Sequence, residues 1–253
     1  MRKNGLKAKL LSGEPAFGVS VMFPSPQLVE MAGRLGFDWV LIDCEHGSIS
    51  PESAETMVLA AEAVGITPVA RPWVNSEEAI LRLLDRGAMG VQVPHVNTAA
   101  DARRAVASVK YSPRGRRGLA SGTRSAGYGL TASMSEYTQV ANRETLVCVQ
   151  LEEAEALENI DEILQVEGVD VFFLGPSDLS QSLGHPGRPD APEVRLAMDE
   201  AFDKITAAGR VPGSAGGPEA TASLLKRGVL YTYTHVPSLL ADASADFFRR
   251  ARQ

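Results

Sequence analysis

At 253 residues, 44% hydrophobic and 22% charged, the chain is long enough for one large core, and (β/α) barrels reach about this length as a single domain. Its net charge of −6 gives no reason to expect nucleic acid or an anionic membrane as a partner. Two cysteines, Cys44 and Cys148, exclude a disulfide framework and fit small core residues in a reducing cytoplasm.

Met1 to Leu11 lacks the apolar core and small-residue cleavage site of a signal peptide. Its Lys3, Lys7 and Lys9 read as a solvated end, and no apolar run approaches the ~20 residues of a membrane span. From there the pattern alternates. Strands are expected at Ala16 to Met22, Asp38 to Asp43, Thr67 to Arg71 and Gly90 to Pro94, each an apolar run of the kind that is buried on both faces of a parallel sheet. Helices are expected between and after them, at Gln27 to Leu35, Ser53 to Val64, Glu77 to Arg86 and Ala99 to Val109. Pro51 suits the approach to the second of these and Gly65 its end.

A Gly- and Arg-rich stretch, Tyr111 to Leu130, is long enough to be functional or mobile. The alternation then resumes with a helix from Ser133 to Asn142 and a strand from Thr145 to Val149. A helix from Glu153 to Leu164 and a strand from Val169 to Leu174 follow. An insertion from Gly184 to Pro192 precedes a helix from Glu193 to Ala208. A short strand near Val211 to Ser214, a helix from Pro218 to Arg227, a strand from Val229 to Tyr233 and a helix from Ser238 to Arg250 complete eight βα units. With right-handed crossovers and no linker between halves, the expected fold is one closed (β/α)8 TIM barrel over residues 1–253. A doubly wound open sheet is the alternative.

In a barrel the residues just after each strand share one mouth, the active-site face. Those residues are Asp43, Glu45 and His46; Arg71; His95; Gln150 and Glu152; Ser177 and Asp178; and His235. Glu152 and Asp178, each at a strand-to-helix junction, suit a hard divalent cation, which takes one or two protein carboxylates and leaves the rest of its shell to water and substrate. The plain alternative for Asp178 is a helix N-cap. His46, flanked by acids, is the best candidate for a general base, because imidazole changes charge near neutral pH. Arg71 ends an apolar strand, so its charge must be paired or bind an anion. It suits a carboxylate or a developing oxyanion, or an ion pair with Asp43 or Glu45.

None of the six lysines falls at an expected strand end, so a Schiff-base aldolase has no candidate residue and carbanion chemistry would need a metal as electron sink. There is no phosphate-binding Gly-rich loop directly after a strand and no nucleophile elbow. The Arg114, Arg116, Arg117 and Arg124 loop reads as a lid over an anionic substrate or a subunit contact.

Phe37-Asp38-Trp39-Val40-Leu41-Ile42-Asp43-Cys44-Glu45-His46-Gly47 resembles a motif of the HpcH/HpaI aldolase family. So do Ala70-Arg71-Pro72, Pro113 to Gly118, Gln150-Leu151-Glu152, and Gly168 to Asp170 leading into Gly175 to Ser180. The resemblance implies a metal-dependent pyruvate aldolase of the phosphoenolpyruvate/pyruvate barrel type, interconverting a 4-hydroxy-2-oxo acid with pyruvate and an aldehyde; 4-hydroxy-2-oxoheptanedioate is the best-known substrate. It further implies Mg²⁺, Mn²⁺ or Co²⁺ held by Glu152 and Asp178, and keto-acid contacts from Gln150, Ser177 and Asp178. His46 would be the base, Arg71 the stabiliser of the enolate, and Asp85 the residue that tunes His46.

The family's members are hexamers, so a homo-oligomer is implied, with the C-terminal helix a candidate for packing on a neighbour. Asp85 would close the helix after the third strand, at the bottom of the barrel, so it would reach His46 only from a neighbouring subunit. Two rivals are a citrate lyase-like CoA-ester lyase or decarboxylating relative, and a non-catalytic keto-acid-binding barrel. Tyr231-Thr232-Tyr233-Thr234-His235 and Ser214-Ala215-Gly216-Gly217 depart from the family pattern, which puts the acceptor aldehyde in question.

Overall fold

The structure, a computed structural model, describes residues 1–252. Eight parallel strands close into a barrel in sequence order: β1 (Ala16–Val21), β2 (Trp39–Asp43), β3 (Thr67–Arg71), β4 (Gly90–Val93), β5 (Leu146–Leu151), β6 (Val171–Leu174), β7 (Pro212–Ala215) and β8 (Tyr231–His235). The ring closes where β1 pairs with β8, Ser20 lying opposite His235. The helices are α1 (Gly5–Leu11), α2 (Pro26–Arg34), α3 (Pro51–Ala63), α4 (Glu77–Asp85), α5 (Ala99–Val109) and α6 (Met134–Glu144), then α7 (Ala154–Glu158), α8 (Ile160–Ile163), α9 (Pro176–Ser182), α10 (Pro192–Ala207), α11 (Pro218–Lys226) and α12 (Val236–Ala251). Among the described residues no helix is long and apolar enough to cross a membrane.

Alternation along each strand divides the apolar residues into two cores. Val19, Val21, Val40, Ile42, Val91, Val147 and Phe172 point outward and pack against the helices. Ala16, Trp39, Leu41, Val69, Cys148, Phe173, Tyr231 and Tyr233 fill the barrel itself. Trp39 lies 4.2 Å from the Tyr231 ring, and Phe173 stacks on Tyr233 at 5.3 Å. Gly18 makes room for this layer, since a Cβ there would sit 2.2 Å from Cε2 of Trp39.

Three sequence expectations are corrected. Residues 5–11 are not a solvated end. Asn4 caps α1 by accepting from the Lys7 amide at 3.0 Å, and Leu6 and Leu10 are buried with the inner core, so α1 stoppers the bottom of the barrel. Lys7 and Lys9 are held there by Asp170 and Asp38 at 2.9 and 2.7 Å.

The Arg-rich loop is not a lid over the mouth. Helices run antiparallel to the strands, so the loop after α5 starts at the bottom, where Arg117 and Arg124 stay, while Arg116 reaches back along α4 to Glu77 at its start. Arg117 pairs with Asp85 at the end of α4, at 2.8 Å, and Arg124 with Glu62 near the end of α3.

Finally, β8 runs two residues later than expected, which makes His235 the last residue of the strand and aims it at the mouth. Smaller differences follow the same hydrogen-bonding logic. The helix expected after β5 breaks at Asn159, whose side-chain amide donates to the Asn97 carbonyl at 2.9 Å. The helix expected to follow β6 is the short α9.

Candidate active site

The C-terminal ends of the strands surround a cavity of about 240 Å³. His46, Arg71, Gln150, Glu152, Ser177 and Asp178 all line it, together with Met22, Phe173, Tyr233 and His235. Residues more than a hundred positions apart thus converge because each lies at or close to the C-terminal end of a strand of the same ring. Asp85 is not among them and sits at the far end of α4, paired with Arg117. A larger hollow, about 340 Å³, opens at that far end, but its Arg117 and Arg124 already have acidic partners.

Asp43 organises one side of the mouth. It is fully buried, and Arg71 clasps it with both arms of the guanidinium fork, Nε donating to Oδ1 at 2.9 Å. The same Oδ1 accepts from the backbone amides of Glu45 and His46 at 3.1 and 3.2 Å, fixing the turn that carries them. Burial opposes the Arg71 charge, but the Asp43 hydrogen bonds and the surrounding acids outweigh it, so its pKa lies above the ordinary arginine value.

A one-way chain of donors organises the other side. Tyr231 donates to Gln92 Oε1 at 3.0 Å, Gln92 Nε2 donates to Gln150 Oε1 at 2.6 Å, and Gln150 Nε2 donates to a Glu152 carboxylate oxygen. The backbone amide of His95, held at φ 53°, donates to the other oxygen at 2.9 Å. Gly175 is required beside it, because a Cβ would stand 2.9 Å from Glu152 Oε2. Sequence reasoning missed Gln92 and Tyr231. Both lie inside strands, and a single sequence gives no sign that they meet.

The centre of the mouth concentrates negative charge. Ligand atoms of Glu45, His95 and Glu152 lie within 4.8 Å of one another. Glu152 is almost fully buried, and its pKa is raised by that burial and by the Asp178 and Glu45 charges. Glu45 is raised too, chiefly by burial, with Arg71 opposing. His95 Nδ1 lies 2.8 Å from Glu153 Oε1 and Nε2 3.3 Å from Glu45 Oε1, and these acids raise its pKa against the effect of burial.

Glu45 Oε2 is buried with no hydrogen-bond partner. Arg71 Nε comes within 3.2 Å of it, but the single Nε–H is already given to Asp43. An orphaned carboxylate oxygen beside two more acids is the donor set of a hard cation site. His95 and Glu45 therefore join Glu152 as candidate ligands. Asp178 stands in the same cavity wall, at the third residue of α9. That helix has no side-chain cap, so the N-cap reading of Asp178 fails.

One perturbed lysine lies elsewhere. Burial lowers the pKa of Lys110 to about 8, the kind of shift seen in imine-forming lysines. Its Nζ donates to the Thr145 and Asn142 carbonyls at the bottom of the barrel, at 2.6 and 3.1 Å. Among the described residues, no lysine lines the mouth.

Comparison with known proteins finds relatives over most of the chain. Residues 18–217 match the family described as HpcH/HpaI aldolase/citrate lyase. The chain is 41% identical over 211 residues to the hydroxypyruvate/pyruvate aldolase of Sagittula stellata, covering 83% of this chain and 82% of that protein. It is 37% identical over 245 residues to the 4-hydroxy-2-oxo-heptane-1,7-dioate aldolase of Shigella flexneri, covering 96% and 91%. A crystal structure of an HpcH/HpaI aldolase/citrate lyase family protein from Burkholderia cenocepacia superposes with a TM-score of 0.93 at 30% identity, over 99% of this chain and all of that one.

Proposed function

Because the chain belongs to the HpcH/HpaI aldolase/citrate lyase family and is a carbon–carbon lyase, we propose that it is a divalent-metal-dependent aldolase that makes and cleaves 4-hydroxy-2-oxo acids through a pyruvate-type enolate. The observation that carries this reading is the convergence of a charged Arg71, the buried Glu152 and Asp178 on one small cavity, with an orphaned Glu45 oxygen 3.2 Å from Arg71 Nε. The printed activities of the Sagittula and Shigella relatives support it.

Glu152 and Asp178, with Glu45 and His95 as further donors, would hold Mg²⁺, Mn²⁺ or Co²⁺. Such an ion supplies a Lewis acid for the carboxylate and 2-oxo group of the substrate. Gln150 and Ser177 orient the keto acid, and the Gln150 amide is already locked by Gln92 and Glu152. In the cleavage direction His46, half-exposed at the rim, takes the proton of the C4 hydroxyl. The C3–C4 bond breaks, the aldehyde leaves, and the electron pair enters an enolate whose oxygen Arg71 stabilises. Arg71 stays charged throughout, so the reaction needs no proton from it.

The reading is tested by incubating the protein with pyruvate, each divalent metal and a panel of aldehydes. Aldol products should form with Mg²⁺, Mn²⁺ or Co²⁺, and borohydride added with pyruvate should leave the protein mass unchanged. No carbon–carbon bond formation with any pair, or a pyruvyl-lysine adduct by mass spectrometry, would overturn it.

The shared site adds a second expectation. Asp85 lies at the opposite end of the barrel from His46, so in its proposed role of tuning His46 it acts on a neighbouring subunit's mouth within a homo-oligomer, a hexamer on the family pattern. His46→Ala should lower cleavage by about 10²-fold or more. Mixing His46→Ala with Asp85→Ala subunits should restore part of the activity, because some interfaces then carry both native residues. Absence of rescue despite proven subunit exchange, or a fully active monomer by light scattering, would refute the shared site.

A further inference from the structure

Two polar groups in the barrel interior have no role so far. His235 ends β8 and lines the mouth. Among the described residues its imidazole has no hydrogen-bond or ion-pair partner, whereas His46, His95 and His185 each face an acid. Beside it in the β1–β8 register is Ser20. Val19 and Val21 belong to the outer core, so Ser20 points inward by alternation. It is fully buried, and its hydroxyl has no partner either. A buried hydroxyl without a partner is costly unless something completes it, and the imidazole beside it is free to bond whatever enters the mouth.

Their position says which part of the reaction they face. The residues proposed to hold the cation and the keto acid come from β5 and the segments after β2, β4, β5 and β6, while β8 and β1 supply none of them. The group seated against His235 is therefore the part of the substrate that leaves as aldehyde. The groups facing His235 are Tyr233, edge-on at 5.4 Å, the charge of Arg71 and, opposing it more weakly, that of Asp43. Burial and that positive charge lower its pKa, so at neutral pH the ring has one N–H donor and one bare nitrogen acceptor. A neutral hydroxyl matches both, and the nearby Arg71 charge is already paired with Asp43, so the pocket beside His235 holds no free counter-charge for a carboxylate or phosphate.

Resting on the aldolase reading above, we propose that His235, backed by Ser20, is a specificity-determining residue that selects a small hydroxyaldehyde by hydrogen-bonding its hydroxyl. Across the mouth from Glu152, it fixes the acceptor while Gln150 and the cation fix the keto acid. A site built to bond a hydroxyl disfavours the analogue that lacks it, because its own polar groups are then left unpaired.

The test uses the metal-loaded enzyme, pyruvate, and glycolaldehyde against acetaldehyde, comparing kcat/KM in wild type, His235→Ala and His235→Gln. The glycolaldehyde-to-acetaldehyde ratio should fall about tenfold in His235→Ala, with most of the loss on glycolaldehyde, and should recover in part in His235→Gln, which keeps a donor and an acceptor. Using the change in ratio cancels the different intrinsic reactivity of the two aldehydes. An unchanged ratio, or an equal loss on both, would overturn the proposal. So would a loss seen only when hydroxypyruvate replaces pyruvate, since the hydroxyl would then belong to the keto acid. Wild-type enzyme that forms no product with either aldehyde, or with any other of the panel, would instead remove the aldolase reading itself, and this inference with it.

Discussion

Stripping the divalent cation should lower aldol cleavage by about a thousandfold or more, the size expected when several kcal/mol of charge stabilisation at the 2-oxo group is lost. Glu152→Gln and Asp178→Asn should do the same without unfolding the protein. The reason lies in the charge balance of the mouth. Glu152 is buried beside Glu45 and within reach of the Asp178 charge, and burial and mutual repulsion raise the pKa values of Glu152 and Glu45. For such acids the contribution to the stability of the metal-free fold is greatest below the ordinary carboxylate pKa and is lost as pH rises through the raised one.

A cation reverses that sign by favouring the charged carboxylates, so protons and metal compete. Metal affinity should begin to fall, on acidification, at a pH above the ordinary carboxylate range. The checks are metal content, cleavage rate and circular dichroism after dialysis against a chelator, followed by restoration with each metal. Wild type should recover on adding metal back; Glu152→Gln should not. Full activity in protein shown to be metal-free would end the metal assignment.

Much of this was legible in the sequence because a parallel barrel repeats one simple unit. Apolar runs buried on both faces marked the strands, and Thr67 to Arg71 was placed to the residue. The strand ends then place the mouth, since the segments that follow the strands of a barrel all emerge on that face. His46, Arg71, Gln150, Glu152, Ser177 and Asp178 meet in one cavity for that reason alone.

The errors arose where sequence position says little about depth or direction. Leu6 and Leu10 carry the i, i+4 spacing of a helix face, but the two lysines between them, Lys7 and Lys9, hide it. The Arg-rich loop had the composition of a lid, and composition does not say which end of a barrel a loop occupies. Its pairings with Glu62 and Asp85, 62 and 32 residues away, decide that. In β8, alternating Tyr and Thr gave no sharp end to the strand, and a two-residue shift moved His235 from the loop into the wall. The Tyr231–Gln92–Gln150–Glu152 relay joins β8, β4 and β5 and becomes visible only after the ring has closed.

Arg71 is where structure and chemistry are hardest to separate, so its variant should fail in two ways. Arg71→Ala should lower kcat about 10²–10³-fold, the loss typical of one oxyanion donor. It should also leave the fully buried Asp43 without its counter-ion, at a cost of about 3–5 kcal/mol. In a domain of this size that corresponds to a melting temperature lower by roughly 6–20 °C. The two losses separate in Arg71→Ala/Asp43→Asn. The side-chain amide introduced in place of the Asp43 carboxylate keeps a carbonyl oxygen that can accept from the Glu45 and His46 amides, so the turn is kept while the stranded charge is gone. This double variant should regain much of the melting temperature and none of the kcat. Arg71→Lys should fall between, because an ammonium keeps the charge but cannot span both Asp43 oxygens as the guanidinium fork does. A loss confined to KM in Arg71→Ala would reduce Arg71 to substrate binding. Recovery of kcat in the double variant would mean that the arginine serves the fold and that the enolate charge is met by other groups in the mouth.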